Sequence, residues 1–244
     1  MNDTLDPTRD YYNEFSKRYE DERRPNSADG YHAMIDDLEV EVVERFGRGK
    51  SVLECGCGTG LLLERFARFA SDAQGIDLSP GMLSLARERG LNVREGSVTA
   101  LPYDDASFDV TCSFKVLAHV QDIGKAMSEM ARVTKPGGVI LAEFYNPWSL
   151  RGLAKRLGPA GKISDATKES AVFTRFDAPW DIVRYLPTGT AVEDRWGVRV
   201  VTPVAQAVRL PVVGKWLQSA EHQLAGSAAA NVAGFYVAII RKKF

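Results

Sequence analysis

The sequence predicts an α/β protein on a doubly wound, mostly parallel sheet of seven strands, the last strand antiparallel. Three observations predict it. Between residues 50 and 144, short β-rich runs alternate with segments of helical period, which demands crossover connections and hence parallel strands. Three glycines, Gly56, Gly58 and Gly60, fall between the first such run and the first such helix. No obvious crossover unit follows the final β-rich run, so it pairs antiparallel at the end of the sheet.

Each element follows from its own residues. Two helical segments come first, over 9–20 and 31–46; in the second, Met34, Ile35, Leu38, Val42 and Val43 recur at helical spacing. SVLEC reads as strand one, LLLERFARFA as a helix, AQGID as strand two and GMLSLARERG as a helix. LNVREG, FDVTCSF and GGVILAEF supply strands three to five. Beyond Phe144 the order becomes irregular, because Pro147, Pro159, Pro179, Pro187, Pro203 and Pro211 punctuate short helices. DRWGVRVV and GFYVAIIR are the last two strands. No repeat, low-complexity tract or Gly/Ser linker marks a boundary, and 244 residues at 45% hydrophobic content suit one domain over 1–244.

Composition bears on function by exclusion. A formal net charge of −1 supplies no global attraction to nucleic acid. The charge is uneven: residues 1–50 are acidic by roughly five and residues 148–244 basic by roughly seven, which fits either solvated surfaces or a basic part facing an acidic substrate. No run approaches the roughly 20 apolar residues of a membrane span, and MNDTLDPTRD is too polar for a signal peptide. Three cysteines argue against a disulfide framework, so a cytoplasmic protein is expected. Cys55 and Cys57 leave a strand with side chains aimed apart and no second ligand pair at zinc spacing, so no metal is expected. Cys112 reads as a small buried hydrophobe.

The glycines occupy the first strand-to-helix turn at the carboxyl end of the sheet, where open α/β sheets bind ligands. Glycine lets the turn close tightly and lets a cofactor approach the main chain. The spacing is G-x-G-x-G, unlike the G-x-G-x-x-G of dinucleotide sites. Glu54, just before it, would repel a pyrophosphate but favours a ligand carrying an ammonium group. S-adenosylmethionine has an α-ammonium, a sulfonium and no phosphate. Asp77, at the tip of strand two and 23 residues after Glu54, can accept both ribose hydroxyls, a role shared with NAD enzymes.

ECGCGTG, GIDLS, REGSVTALPYDDASFDV and RVTKPGGVIL together resemble the class I S-adenosylmethionine-dependent methyltransferases of small-molecule type, which include the quinone-methylating enzymes. The resemblance is dense over 50–144 and implies a Rossmann-like methyltransferase fold. It implies N-terminal lid helices over 1–46, a cofactor-binding core over 50–144, a helical substrate lid inserted after strand five over 145–190, and final strands and helix over 191–244. It places Glu54, Gly56, Cys57, Gly58 and Gly60 around the methionine end of S-adenosylmethionine, Asp77 on the ribose, and Leu78 and Met82 about the adenine. Val98 joins the cofactor site beside Ser97, which stands where the family usually has an aspartate; its hydroxyl is a neutral, shorter acceptor for the adenine amino group. YYNEFSKRYE resembles the segment that folds over the cofactor. Tyr12 and Tyr19 share a helical face, Tyr19 near the methyl group or cofactor carboxylate; a docking helix that touches no ligand is the alternative.

His119 lies just beyond strand four, where the methyl group would be presented. The family often has a histidine here, so a structural role and a general base both stand; imidazole titrates near neutral pH and can take a hydroxyl proton. His32 and His222 lack such a context. Arg151, Lys155 and Arg156, with Arg175 and Arg184, either solvate the surface or bind an anion on the acceptor. Phe144, Tyr145, Trp148, Phe173 and Trp180 wall the acceptor site or pack the core. The expectation is methyl transfer to an oxygen, nitrogen or carbon of a small organic acceptor, without nucleic acid, membrane span or metal; monomer and homodimer both remain open. The alternatives are a non-catalytic S-adenosylmethionine-binding module, an RNA methyltransferase, and an NAD or flavin enzyme.

Overall fold

Alternation along the strands sorts side chains into two layers. On β1 (Ser51–Cys55), Val52 enters one core layer while Leu53 and Cys55 enter the other. On β5 (Thr134–Tyr145), Val139 and Leu141 oppose Ile140, Ala142 and Phe144 in the same way. A computed structural model describes residues 7–27, 30–149, 173–202 and 204–244. Its seven strands run in the order β3-β2-β1-β4-β5-β7-β6, with β2 at Asp72–Asp77, β3 at Asn92–Glu95, β4 at Phe108–Ser113, β6 at Thr190–Val198 and β7 at Phe235–Lys242. β1 to β5 pair in parallel, and β7 pairs antiparallel with both β5 and β6. The expected doubly wound sheet with an antiparallel last strand is the observed one, but β7 lies between β5 and β6 and not at the end of the sheet, because β6 pairs along its other side and forms the edge.

Helices cover both faces. α1 (Pro7–Ser27) precedes α2 (Tyr31–Gly47), whose Met34, Ile35, Leu38, Val42 and Val43 are all buried against Val52 and the apolar face of α3 (Leu61–Phe66). α4 (Pro80–Glu88) follows β2. On the opposite face α5 (Ile123–Val133) buries Ile123, Ala126, Met127 and Met130. α6 (Pro211–Ala225) packs beside α2 and β6.

Three boundaries differ from the sequence expectation, two of them for a visible local reason. The helix expected over 61–70 stops at Phe66, because the next residues turn back so that the Gly49 N–H donates to the Phe69 carbonyl. α1 runs on past residue 20 to Ser27. β6 begins four residues early and ends at Val198, since Arg199 has φ +65° and the chain leaves the sheet. The freed N–H groups of Val200, Val201 and Thr202 donate to the Glu221 carboxylate on α6. Much of the helical lid expected over 145–190 lies outside the described residues; the part from residue 173 onward carries a short 3-10 turn, Ile182–Tyr185.

Candidate functional site

The carboxyl ends of β1, β2 and β4 open into a cavity of about 880 Å³, roofed by α1. Gly56, Gly58 and Gly60 all have positive φ, the conformation that makes the turn between β1 and α3 possible. At Gly56 a Cβ would lie 2.2 Å from Val116 Cγ2, whereas at Gly58 it would project into open space within the cavity. Gly58 therefore leaves room for a ligand to lie on the main chain. Gly60 is absent from the cavity wall: it caps α3, where a Cβ would strike Leu91 Cδ1 at 2.3 Å. Its role is packing beneath the loop.

Two carboxylates set the charge. Asp77 Oδ2 accepts from Gly58 N at 2.8 Å and Oδ1 accepts from Ser79 N at 2.8 Å, which anchors the glycine turn to β2. Burial raises the Asp77 pKa despite these bonds. Glu54 lines the cavity, is 3% exposed, and its Oε2 has no hydrogen-bond partner among the described residues. Burial, and then the nearby Glu39 charge, push its pKa well up, against the pull of Lys115. Lys115, at φ +59°, bonds Glu39 Oε2 at 2.7 Å through Nζ, and its N–H donates to Glu143 Oε1 at 2.9 Å. Sequence reading did not identify this buried group of acids.

Four more of the residues singled out in sequence also border the cavity. Leu78, Met82, Ser97 and Val98 line one end. The Ser97 hydroxyl lies 2.8 Å from Thr99 Oγ1 and accepts from Thr99 N, so it is already engaged in a local turn. Cys57 lines the cavity near Glu54, with its side chain against Gly75 on the face opposite Cys55; burial pushes both thiols up, away from reactivity. Tyr12 and Tyr19 project from α1 with Phe15 between them. α1 is fastened by Asn13, whose Oδ1 accepts from Ser79 Oγ at 2.7 Å and Gly81 N at 3.0 Å. Asn13 gave no sequence signal.

At the other end stand His119 and Tyr145, with ring centroids 5.9 Å apart and edge to face. His119 Nδ1 donates to the Phe173 carbonyl at 2.9 Å. Thr174 Oγ1 lies 3.3 Å from the same Nδ1; since a carbonyl only accepts, the shorter Phe173 bond is made by the tautomer protonated on Nδ1, in which Nε2 keeps the lone pair.

The other residues weighed between acceptor site and core or surface lie, where described, outside the cavity wall. Trp148 is 43% exposed and packs on Trp180, outside the cavity wall. Phe144 is core. Arg175 is taken up by a bidentate pair with Asp177 at 2.7 and 2.9 Å and by the Tyr185 hydroxyl, so it is not free to hold an anion. Arg184 pairs with Asp181 at the surface. Arg151, Lys155 and Arg156 lie outside the described residues.

A glycine turn open to main-chain approach, an unpartnered buried carboxylate and a second acid 23 residues on fit an amino-acid nucleoside and mismatch a diphosphate. Comparison agrees. Residues 53–142 match the family described as a methyltransferase domain. A demethylmenaquinone methyltransferase of Renibacterium salmoninarum is 44% identical over 103 residues, 41% of this chain and 43% of that protein. A ubiquinone biosynthesis O-methyltransferase of Methylococcus capsulatus is 35% identical over 148 residues, 58% and 62% of the two chains. The chain thus spans less than two thirds of these curated relatives. The crystal structure of a Thermotoga maritima S-adenosylmethionine-dependent methyltransferase, a possible histamine N-methyltransferase, shares the fold at TM-score 0.69 and 19% identity, covering 97% of this chain and 99% of that one. Residues 53–142 thus match a methyltransferase domain, on a fold shared with S-adenosylmethionine-dependent methyltransferases.

Proposed function

We propose that the protein methylates a hydroxyl group of a small aromatic or enolic acceptor. The observation that carries this reading is the His119–Phe173 hydrogen bond, which leaves a basic nitrogen on a residue of the cavity wall. S-adenosylmethionine, when bound, supplies an activated methyl group. Glu54 would hold its ammonium group, Asp77 its ribose hydroxyls, and Leu78, Met82 and Val98 its adenine. Tyr12 and Tyr19 on α1 shield the site from water. His119 then accepts the acceptor's hydroxyl proton at Nε2, a contribution of about 10²–10⁴ in rate for a positioned base.

Acceptor chemistry follows from the wall. Phe15, Phe114 and Tyr145 favour a flat apolar ring. Among the described lining residues the one cation is Lys115, and it is already paired with Glu39 and Asp36. That supports an uncharged acceptor. An anionic one would depend on Arg151 and Arg156.

Titration calorimetry of the purified chain with S-adenosylhomocysteine, followed by label transfer to a panel of phenols and hydroquinones, tests the proposal. Heat with the nucleoside and methyl ether formation are expected. Heat without any methylated product would indicate a non-catalytic binding module. No heat would end the reading at its base.

A further inference from the structure

The cavity wall holds an ammonium group and a buried carboxylate that do not join. Glu54 Oε2, on β1, has no hydrogen-bond partner among the described residues, although Glu54 is only 3% exposed and Lys115 lines the same cavity. An unpaired buried carboxylate is costly, and a nearby lysine is the ordinary remedy. Here the lysine is directed elsewhere. Its Nζ lies 2.7 Å from Glu39 Oε2 and 3.4 Å from Asp36 Oδ1, both on α2.

Three elements build this arrangement. Alternation puts Glu54 of β1 and Glu143 of β5 on the sheet face that α2 covers, since Val52 and Leu141, two residues before each, belong to the core layer that holds Met34 and Leu38. β4 runs between those strands and delivers Lys115 just past its end. There the backbone turns at φ +59°, and the Lys115 N–H donates to Glu143 Oε1 at 2.9 Å, which fixes the root of the side chain. Asp36 and Glu39 stand three residues apart on one face of α2 and hold the ammonium at the tip. Glu39 is fully buried and Asp36 partly so, and neither lines the cavity. The side chain is held at both ends.

We propose that Glu39 and Asp36 are positioning residues for cofactor binding, which keep the Lys115 ammonium out of the place beside Glu54 that the ligand's own ammonium takes. Lys115 already attracts the Glu54 charge, so the tether to α2 is what holds the two apart. Without it Lys115 swings to Glu54, satisfies that carboxylate, and competes with the ligand from within the chain. The inference rests on the assignment of Glu54 to the ligand's ammonium group, and it gives two residues of α2 that touch no ligand a part in cofactor affinity.

Calorimetry of the full chain with S-adenosylhomocysteine and with methylthioadenosine, which has the nucleoside and no ammonium group, decides it. The double variant Asp36→Asn, Glu39→Gln should bind S-adenosylhomocysteine at least about tenfold more weakly, since the ligand must displace a charge-assisted hydrogen bond, and should bind methylthioadenosine as the parent does. Adding Lys115→Met to the pair should restore most of the lost affinity. Recovery on loss of a lysine is an outcome that a purely structural role for the two acids would not give. Asp36→Asn alone, at the less buried site, should show the same pattern at smaller size. The proposal is overturned if the double variant binds S-adenosylhomocysteine as tightly as the parent, if both ligands weaken together, or if Lys115→Met brings no recovery. No heat between the parent and S-adenosylhomocysteine would instead end the cofactor assignment, and this inference with it.

Discussion

His119 Nδ1 lies 2.9 Å from the carbonyl oxygen of Phe173, 54 residues later in the chain. The backbone on either side is tied as well, since Arg175 N donates to the Ala118 carbonyl at 2.8 Å. Arg175 is itself fixed by Asp177 and Tyr185. One strut therefore sets the orientation of the imidazole, and Arg175, which in sequence could either solvate the surface or bind an anion, serves as its foundation.

If Nε2 is the base, His119→Gln should lower kcat by about 10²–10⁴ and leave the S-adenosylhomocysteine dissociation constant unchanged. Arg175→Met should give a smaller kcat loss with a changed pH profile, because it loosens the ring without removing it. Steady-state rates across pH, paired with calorimetry, separate the two. Equal kcat in parent and His119→Gln would return this residue to a purely structural role.

Glu54 makes cofactor affinity depend on pH in a stated direction. Its carboxyl is raised by burial and by Glu39, so without ligand it holds its proton to higher pH than an ordinary glutamate. An ammonium group arriving beside it favours the ionised form. Binding should therefore release a proton, and affinity should fall as pH drops through the raised pKa. Calorimetry in buffers of different ionisation enthalpy reads that proton directly. Glu54→Gln should abolish the buffer dependence and weaken binding by about 10–100-fold, the loss of one charge-assisted hydrogen bond.

Much of the fold was legible because burial imposes period. The runs Val52–Cys55 and Val139–Phe144 alternate between two core layers, and the apolar stripe of α2 is intact from Met34 to Val43. The cofactor end was legible because its turn needs glycine at positive φ and its charge sits on residues adjoining those glycines. The acceptor end was not. Arg175 in sequence is a basic residue after strand five; only tertiary structure shows Asp177 and Tyr185 consuming it. Glu143 did carry a signal, an acid inside the otherwise apolar buried run Val139–Phe144, whereas Glu39 is one of several acids in its helix; nothing in sequence places either around Lys115. Asn13 offered none, since its role is two long-range bonds to Ser79 and Gly81.

Glu221 supplies a stability prediction separate from the site. Fully buried on α6, it accepts from Val200 N at 2.6 Å, Val201 N at 3.0 Å, Thr202 N at 2.7 Å and Thr202 Oγ1 at 2.6 Å. These are the donors released where Arg199 turns the chain out of β6, so one carboxylate replaces a missing strand neighbour for three consecutive residues. Glu221→Gln keeps the shape but turns an NH₂ group toward N–H donors, leaving at least one of them unsatisfied. The expected cost is about 2–4 kcal/mol, measured as a lower urea midpoint with an unchanged slope. Because the Val200, Val201 and Thr202 N–H groups all donate to this one carboxylate, hydrogen exchange at these three residues should rise far more than in β1 or β4. A uniform rise across the sheet would mean that Glu221 supports the global fold and not this corner of it.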